Sequence, residues 1–189
     1  MQNAGSKKDI ENIHITNVLS LAQKAKTGSQ INLPNGLKAY IEYSNLIIAL
    51  PHLSPIIEAS PILLNIPGTV VLNTLNVSIK AEIVHSPKQE KSRNTCYIDA
   101  DTLCGSLKIR FRKNGDSFCP KGMKGHKKLK DLFIDNKIPR EQRSMVPIVC
   151  DDIGIVWVAG IQQDNRCISA YVTKNIVKLT VLNNIDKHH

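Results

Sequence analysis

The chain has 189 residues, of which 42% are hydrophobic, enough for one ordinary domain and part of another. Lysine and arginine number 25 against 16 aspartates and glutamates, so the net charge of +9 favours an anionic partner such as nucleic acid. No apolar run approaches the ~18 residues of a membrane span, and the five cysteines, which include no C-x-x-C pair, argue against a disulfide framework or a zinc site.

The first predicted element is an amphipathic helix over residues 9–27, ending near Gly28. Its apolar face is formed by Ile10, Ile13, Val18, Leu21 and Ala25. A hairpin follows, with an extended stretch at 30–33, a Pro-Asn-Gly turn and a β-rich run over 37–50. Residues 1–51 therefore form a thin module, which we interpret as the end of a larger region.

Residues 52–60 are predicted to be a linker, because Pro51, Pro55 and Pro61 flank or interrupt them. The second domain, residues 61–185, is rich in short strands, predicted at 62–66, 69–72, 78–84, 95–98, 107–111, 146–150, 154–159 and 176–182. One short helix is predicted over 127–136, with Leu129, Leu132 and Phe133 on its apolar face. The fold class is α+β with a strand-rich core. We expect residues 186–189 to be a tail or the remnant of a tag outside this domain.

The positive charge is concentrated in residues 108–143, which hold twelve lysines and arginines and four acidic residues. This window carries +8 of the net +9, and charge placed this way indicates a phosphate-binding surface. The candidate nucleic-acid-binding residues are Arg110, Arg112, Lys113, Lys121, Lys124, Lys127, Lys128, Lys130, Lys137, Arg140 and Arg143.

Two local patterns support this interpretation. Arg110 and Arg112 are two residues apart on a predicted strand and would share a face. Residues 122–128 form a glycine-bearing loop before the predicted helix, where free N–H groups favour an anion. The plainer alternative is an ordinary solvated surface, with Asp116 pairing to one of the arginines.

Catalytic interpretations find little support in the residues. His14, His52, His85 and His126 have no ligand-like spacing to cysteine or carboxylate side chains. Asp151-Asp152 is predicted to form a turn between strands. The sequence contains no nucleophile elbow, nucleotide P-loop or dinucleotide fingerprint. The residues by themselves predict a binding module.

Residues 108–161 resemble the C-terminal domain of bacterial tRNA(Ile)-lysidine synthetase. The matching positions of the family pattern are Arg110, Arg112, Gly115, Asp116, Phe118, Pro120, Gly122, Gly125, Lys127, Lys128, Leu129, Phe133, Lys137, Pro139, Arg140, Arg143, Pro147, Trp157 and Gly160. Residues 31–50 resemble the end of the preceding, substrate-binding region of that family. Three positions depart from the family pattern, namely Asn114, Ser117 and Gln162. At each of them, one phosphate or base contact of the family is not expected to carry over.

The resemblance implies a strand-rich, sandwich-like domain related to a region of phenylalanyl-tRNA synthetase β chains. It also implies a cytoplasmic parent enzyme that uses ATP, with magnesium, to join lysine to the wobble cytidine of the isoleucine tRNA with a CAU anticodon. That chemistry belongs to an N-terminal PP-loop domain whose SGGxDS signature is absent here. We therefore expect this chain to need no cofactor of its own and to dock the tRNA, at the acceptor-stem side.

Two other interpretations stay open at this point. The chain could be a tRNA-editing or hydrolytic domain, by analogy with the synthetase relatives of the fold. It could instead be a structural module that forms a homodimer through its basic face. The first needs a pocket with converging Asp, His or Cys side chains, and the second needs dimerisation that is insensitive to salt.

Overall fold

The computed structural model describes residues 10–24, 26–42, 44–50, 60–86, 92–169 and 173–183. The chain divides into two compact units, Met1–Pro55 and Ile56–His189. Most of the predicted linker at 52–60, and the whole of the tail at 186–189, lie outside the described residues.

The first unit combines one helix with a three-stranded antiparallel sheet. Helix α1 spans Asn12–Lys24, and the strands are β1 (Gln30–Asn32), β2 (Lys38–Glu42) and β3 (Asn45–Ala49), paired in the order β1-β2-β3. The predicted β-rich run over 37–50 is thus two strands of a second hairpin. The turn between β1 and β2 places Asn35 at a positive φ of 58°, a conformation that asparagine tolerates better than most residues.

The core of the first unit is small. Leu21, Ala39 and Ile41 are buried, and Val18 packs partly against them. Ile10 and Ile13, which the sequence predicted on the apolar face of the helix, are instead 53% and 58% exposed. The prediction was wrong there because the described sheet covers only the later turns of α1.

The second unit contains two larger sheets. One has four antiparallel strands in the order β5-β6-β14-β7, and the other has five in the order β13-β12-β11-β8-β4. The strands of the first are β5 (Gly68–Leu72), β6 (Val77–Val84), β7 (Thr95–Asp99) and β14 (Ile176–Asn183). Those of the second are β4 (Ile62–Leu63), β8 (Lys108–Arg110), β11 (Ile148–Cys150), β12 (Ile155–Val158) and β13 (Gln162–Gln163).

The two sheets share one hydrophobic core. Ile79, Ile98 and Leu179 of the four-stranded sheet lie in the same buried cluster as Val149 and Trp157 of the five-stranded sheet. The register shifts between Val149 and Cys150, which makes Val156 the extra residue of a β-bulge, and Val156 and Trp157 therefore both belong to this core. Two sheets facing each other across one core form a sandwich. The predicted α+β, strand-rich, sandwich-like class is confirmed.

A short helix covers the other face of the five-stranded sheet. Helix α2 spans Leu129–Asp135 and buries Leu129, Leu132 and Phe133 in a second cluster. Ile148 and Val158 contribute to this second cluster, whereas their neighbours Val149 and Trp157 face the sandwich core, as alternation along a strand requires. The central strands β11 and β12 are therefore buried on both faces of the sheet.

The helix begins two residues later than the sequence predicted. Lys127 and Lys128 form strand β10, which pairs with Ser117 and Phe118 of strand β9 in a two-stranded ribbon. Cross-strand pairing outweighs the helical periodicity at these two lysines. Among the described residues, no helix is both long and apolar enough to cross a membrane.

Candidate nucleic-acid interface

The charged window begins with a paired arginine. Arg110, at the end of β8, donates from both terminal nitrogens to the Asp116 carboxylate, at 2.8 and 2.9 Å. The two side chains are 14% and 12% exposed. Arg112 lies beyond the strand, so the two arginines do not share a strand face as predicted. Because its guanidinium is occupied, we assign Arg110 to the fold rather than to a ligand.

Asp116 organises the turn that follows β8. Its carboxylate accepts a hydrogen bond from the Lys113 amide at 2.7 Å, and its carbonyl accepts one from the Leu129 amide, the first residue of α2, at 2.8 Å. Gly115 has a φ of +88°, a conformation that a residue with a Cβ adopts only with strain. The Asn-Gly-Asp turn therefore joins the start of the ribbon to the start of the helix.

The basic hairpin, which we define as residues 117–128, is anchored at its base to the edge of the five-stranded sheet. The Cys119 amide donates to Asp164 Oδ2 at 3.0 Å, and the Gly122 amide donates to Asn165 Oδ1 at 3.2 Å. The Lys121 amide donates to the backbone of β13 at 2.9 Å. These contacts give the loop between β9 and β10 a defined position.

The structure corrects the predicted anion site at a helix N-terminus. The glycine-bearing loop does not run into a helix, because β10 stands between Gly125 and Leu129. The Leu129 amide, which opens the helix, is already bonded to the Asp116 carbonyl. The Leu129 amide is therefore not free for an anion, and the exposed lysine side chains of the hairpin are the charged candidates for phosphate contact.

Ten of the eleven predicted residues fall into two groups. Three are engaged by the protein: Arg110 by Asp116, Lys127 by Asp135, and Arg143 through its Nε by the Ile138 carbonyl at 2.8 Å. A second group makes no ion pair with any described residue; it comprises the half-buried Arg112 and the exposed Lys113, Lys121, Lys124, Lys128, Lys130 and Lys137. Arg140 is also exposed. The second group supplies the available positive charge.

Sequence reasoning missed the residues that hold the hairpin in place. Asp164 and Asn165 lie more than 40 residues from the loop they anchor, and no local pattern marks them. Gln162, identified as a departure from the family pattern, donates its side-chain amide to the Lys121 carbonyl at 3.2 Å. The Asn-Gly-Asp triplet was the one available signal for the role of Asp116.

A second ion pair braces the turn between β11 and β12. Arg166 donates to both carboxylate oxygens of Asp151, at 2.8 and 3.0 Å, and the Asp151 side chain is fully buried. Burial alone would raise the pKa of Asp151, but hydrogen bonds from Arg166 and from the Cys104 and Gly154 amides outweigh it and lower the pKa. Within the described part of the chain, no three His, Cys, Asp or Glu side chains cluster as metal ligands would. The two hydrogen bonds from Arg166 assign Asp151 a structural role in this turn.

Comparison with known proteins supports a family assignment. Residues 107–176 match the family model described as the TilS substrate C-terminal domain. A crystal structure of a TilS C-terminal domain superimposes with a TM-score of 0.61 at 29% identity, covering 67% of this chain and 98% of that one. Residues 107–176 therefore form a domain of the TilS C-terminal type. The resemblance identified from the sequence is therefore confirmed.

Relatives of TilS type extend the match over most of the chain. The tRNA(Ile)-lysidine synthase of Clostridium acetobutylicum is 34% identical over 93% of this chain. The enzyme of the same name from Caldanaerobacter subterraneus is 34% identical over 94% of it. The chain spans 39% and 38% of the lengths of these two relatives.

Proposed function

We propose that this chain is the tRNA-docking part of a tRNA(Ile)-lysidine synthase. In this proposal the parent enzyme works in the cytoplasm and uses ATP and lysine to modify the wobble cytidine of the isoleucine tRNA with a CAU anticodon. The part described here holds the tRNA body, at the acceptor-stem side, and contributes no catalytic group. The matched relatives carry the name of that enzyme, which supports the assignment of the parent activity.

One observation carries the docking role: an anchored hairpin presents unpaired lysines to solvent. Lys121, Lys124 and Lys128 are exposed, and none forms an ion pair with a described residue. Two nearby carboxylates are occupied, since Asp116 binds Arg110 and Asp135 binds Lys127. Phosphate contacts of this kind position a nucleic acid without reading its sequence. We therefore assign to these lysines the contacts that fix the register of the tRNA.

The test is a titration of the isoleucine tRNA into the 189-residue chain across a salt series. We expect saturable binding whose affinity falls with salt, with a log–log slope of roughly 0.7–0.9 per phosphate contact. Replacing Lys121, Lys124 and Lys128 by glutamine should lower that slope by about 2 and weaken binding at low salt.

A matched control is available on the four-stranded sheet. Lys80 lies on β6 and pairs with Glu82 at 2.7 Å, so Lys80→Gln removes the same charge away from the hairpin. Its tRNA affinity should equal that of the unaltered chain. Absence of tRNA binding at low salt, or equal effects of Lys80→Gln and Lys124→Gln, contradicts the docking role.

Arg112 provides a second, independent test of the same surface. It makes no ion pair with a described residue, and Arg112→Glu replaces an attractive charge with a repulsive one. We expect tRNA binding to weaken roughly tenfold while the urea midpoint of the second unit changes little. A parallel loss of folding would show that Arg112 serves the structure instead.

A further inference from the structure

An open cleft of about 310 Å³ lies at the base of the basic hairpin. Its lining includes Phe118 and His126 of the hairpin, Ile153 of the turn between β11 and β12, and the consecutive residues Asp164 and Asn165. Its volume is at the lower end of the roughly 300–1,000 Å³ found for small-molecule sites. The cleft is therefore large enough for one small chemical group but too small for a folded element.

The buried charge in this cleft is negative, unlike that of the surrounding hairpin. Asp164 is only 5% exposed, and its two carboxylate oxygens accept hydrogen bonds from the Cys119 and Arg166 amides, at 3.0 and 2.9 Å. Each oxygen can accept a further hydrogen bond. Arg166 also lines the cleft, but its guanidinium is hydrogen-bonded to the Asp151 carboxylate. A wall of this kind disfavours a phosphate and favours a group that donates hydrogen bonds.

The residue beside Asp164 adds a donor. Asn165 Oδ1 accepts the Gly122 amide, and its Nδ2 makes no hydrogen bond with any described residue. Consecutive residues thus offer an acceptor and a donor, which matches the Watson–Crick edge of adenine or cytosine, where an exocyclic amino group lies next to an unprotonated ring nitrogen. Ile153 is 66% exposed and offers an apolar surface for the face of such a base.

We propose that this cleft holds one unpaired adenine or cytosine of the bound RNA. The exocyclic amino group donates to Asp164, the ring nitrogen accepts from Asn165, and the lysines of the hairpin contact the flanking phosphates. Sequence-dependent RNA recognition commonly uses unpaired bases in this way. Uracil lacks the amino group and cannot make the same pair of hydrogen bonds. This inference rests on the proposed docking function and names a base-reading contact within it.

The test compares three fluorescent RNA tetranucleotides of equal charge, all-adenine, all-cytosine and all-uracil, by anisotropy on the 189-residue chain. We expect the adenine and cytosine oligonucleotides to bind roughly tenfold more tightly than the uracil one. Asn165→Asp keeps the acceptor for the Gly122 amide and removes the donor, so it should abolish most of the preference. Ile153→Ser should weaken all three. Ile83→Ser is the matched control, because Ile83 is 63% exposed on β6.

The outcomes separate this inference from the docking proposal. Equal binding of the three oligonucleotides, or an unchanged preference in Asn165→Asp, overturns the base-reading cleft while salt-dependent tRNA binding leaves docking intact. A base preference that depends on Asn165, without any binding of tRNA, supports the cleft and rejects docking. No binding of any RNA overturns both.

Discussion

Replacing Asp116 by asparagine removes the charge that holds the first turn of the window. Asparagine preserves the shape of the side chain but offers Arg110 one oxygen in place of two, and its NH₂ group faces a guanidinium donor. Since Arg110 is only 14% exposed, its charge cannot be fully solvated by water when the partner is lost. Breaking a buried pair by altering one partner costs about 3–5 kcal/mol.

The residual exposure of both side chains places the expected loss at the lower end, about 3 kcal/mol. The assay is urea unfolding followed by fluorescence of Trp157, the single tryptophan of the chain, which is 1% exposed in the sandwich core. Its signal therefore reports on the second unit alone. With a denaturant slope of about 2 kcal/mol per molar, the midpoint should fall by roughly 1.5 M.

Asp131 provides the control, because it is exposed on α2 and makes no hydrogen bond with a described residue. Asp131→Asn should change the free energy of unfolding by no more than about 0.5 kcal/mol. Arg110→Gln combined with Asp116→Asn should cost less than the sum of the two single changes, because each removes the same interaction. A midpoint for Asp116→Asn that matches the Asp131→Asn control would refute this account of the turn.

Two further predictions concern buried groups. Because the pKa of Asp151 is lowered in the folded state, its contribution to stability is present above the unfolded pKa, near 4, and is lost as the pH falls through the folded pKa. Asp151→Asn should therefore cost about 3 kcal/mol at pH 7 and progressively less below pH ~4, measured as urea midpoints along a pH series; a constant difference would exclude the linkage. Burial raises the pKa of the Cys96, Cys150 and Cys167 thiols, whereas Cys104 is exposed. Iodoacetamide at pH 8, followed by peptide mass spectrometry, should thus modify Cys104 first and reach the buried Cys96, Cys150 and Cys167 only in urea; early modification of Cys167 would contradict the burial.

Much of the fold could be predicted from local pattern. The alternation of apolar residues predicted the bounds of strands β6, β7 and β14 to within one or two residues. This was possible because the two-residue period of a strand is visible in consecutive side chains. The spacing of Leu129, Leu132 and Phe133 identified the buried face of α2 for the same reason. The net charge of residues 108–143 follows directly from the sequence.

Tertiary structure decided which of those charges are available. Arg110 and Lys127 appear in the sequence as members of one basic run, but the turn at Asp116 and the end of α2 at Asp135 bring a carboxylate to each. Local sequence patterns could not predict the cleft either, because Asp164 and Asn165 contact the hairpin across more than 40 residues of chain. Periodicity and charge are properties of neighbouring residues, whereas ion pairs and clefts depend on which distant segments the sheet pairing brings together.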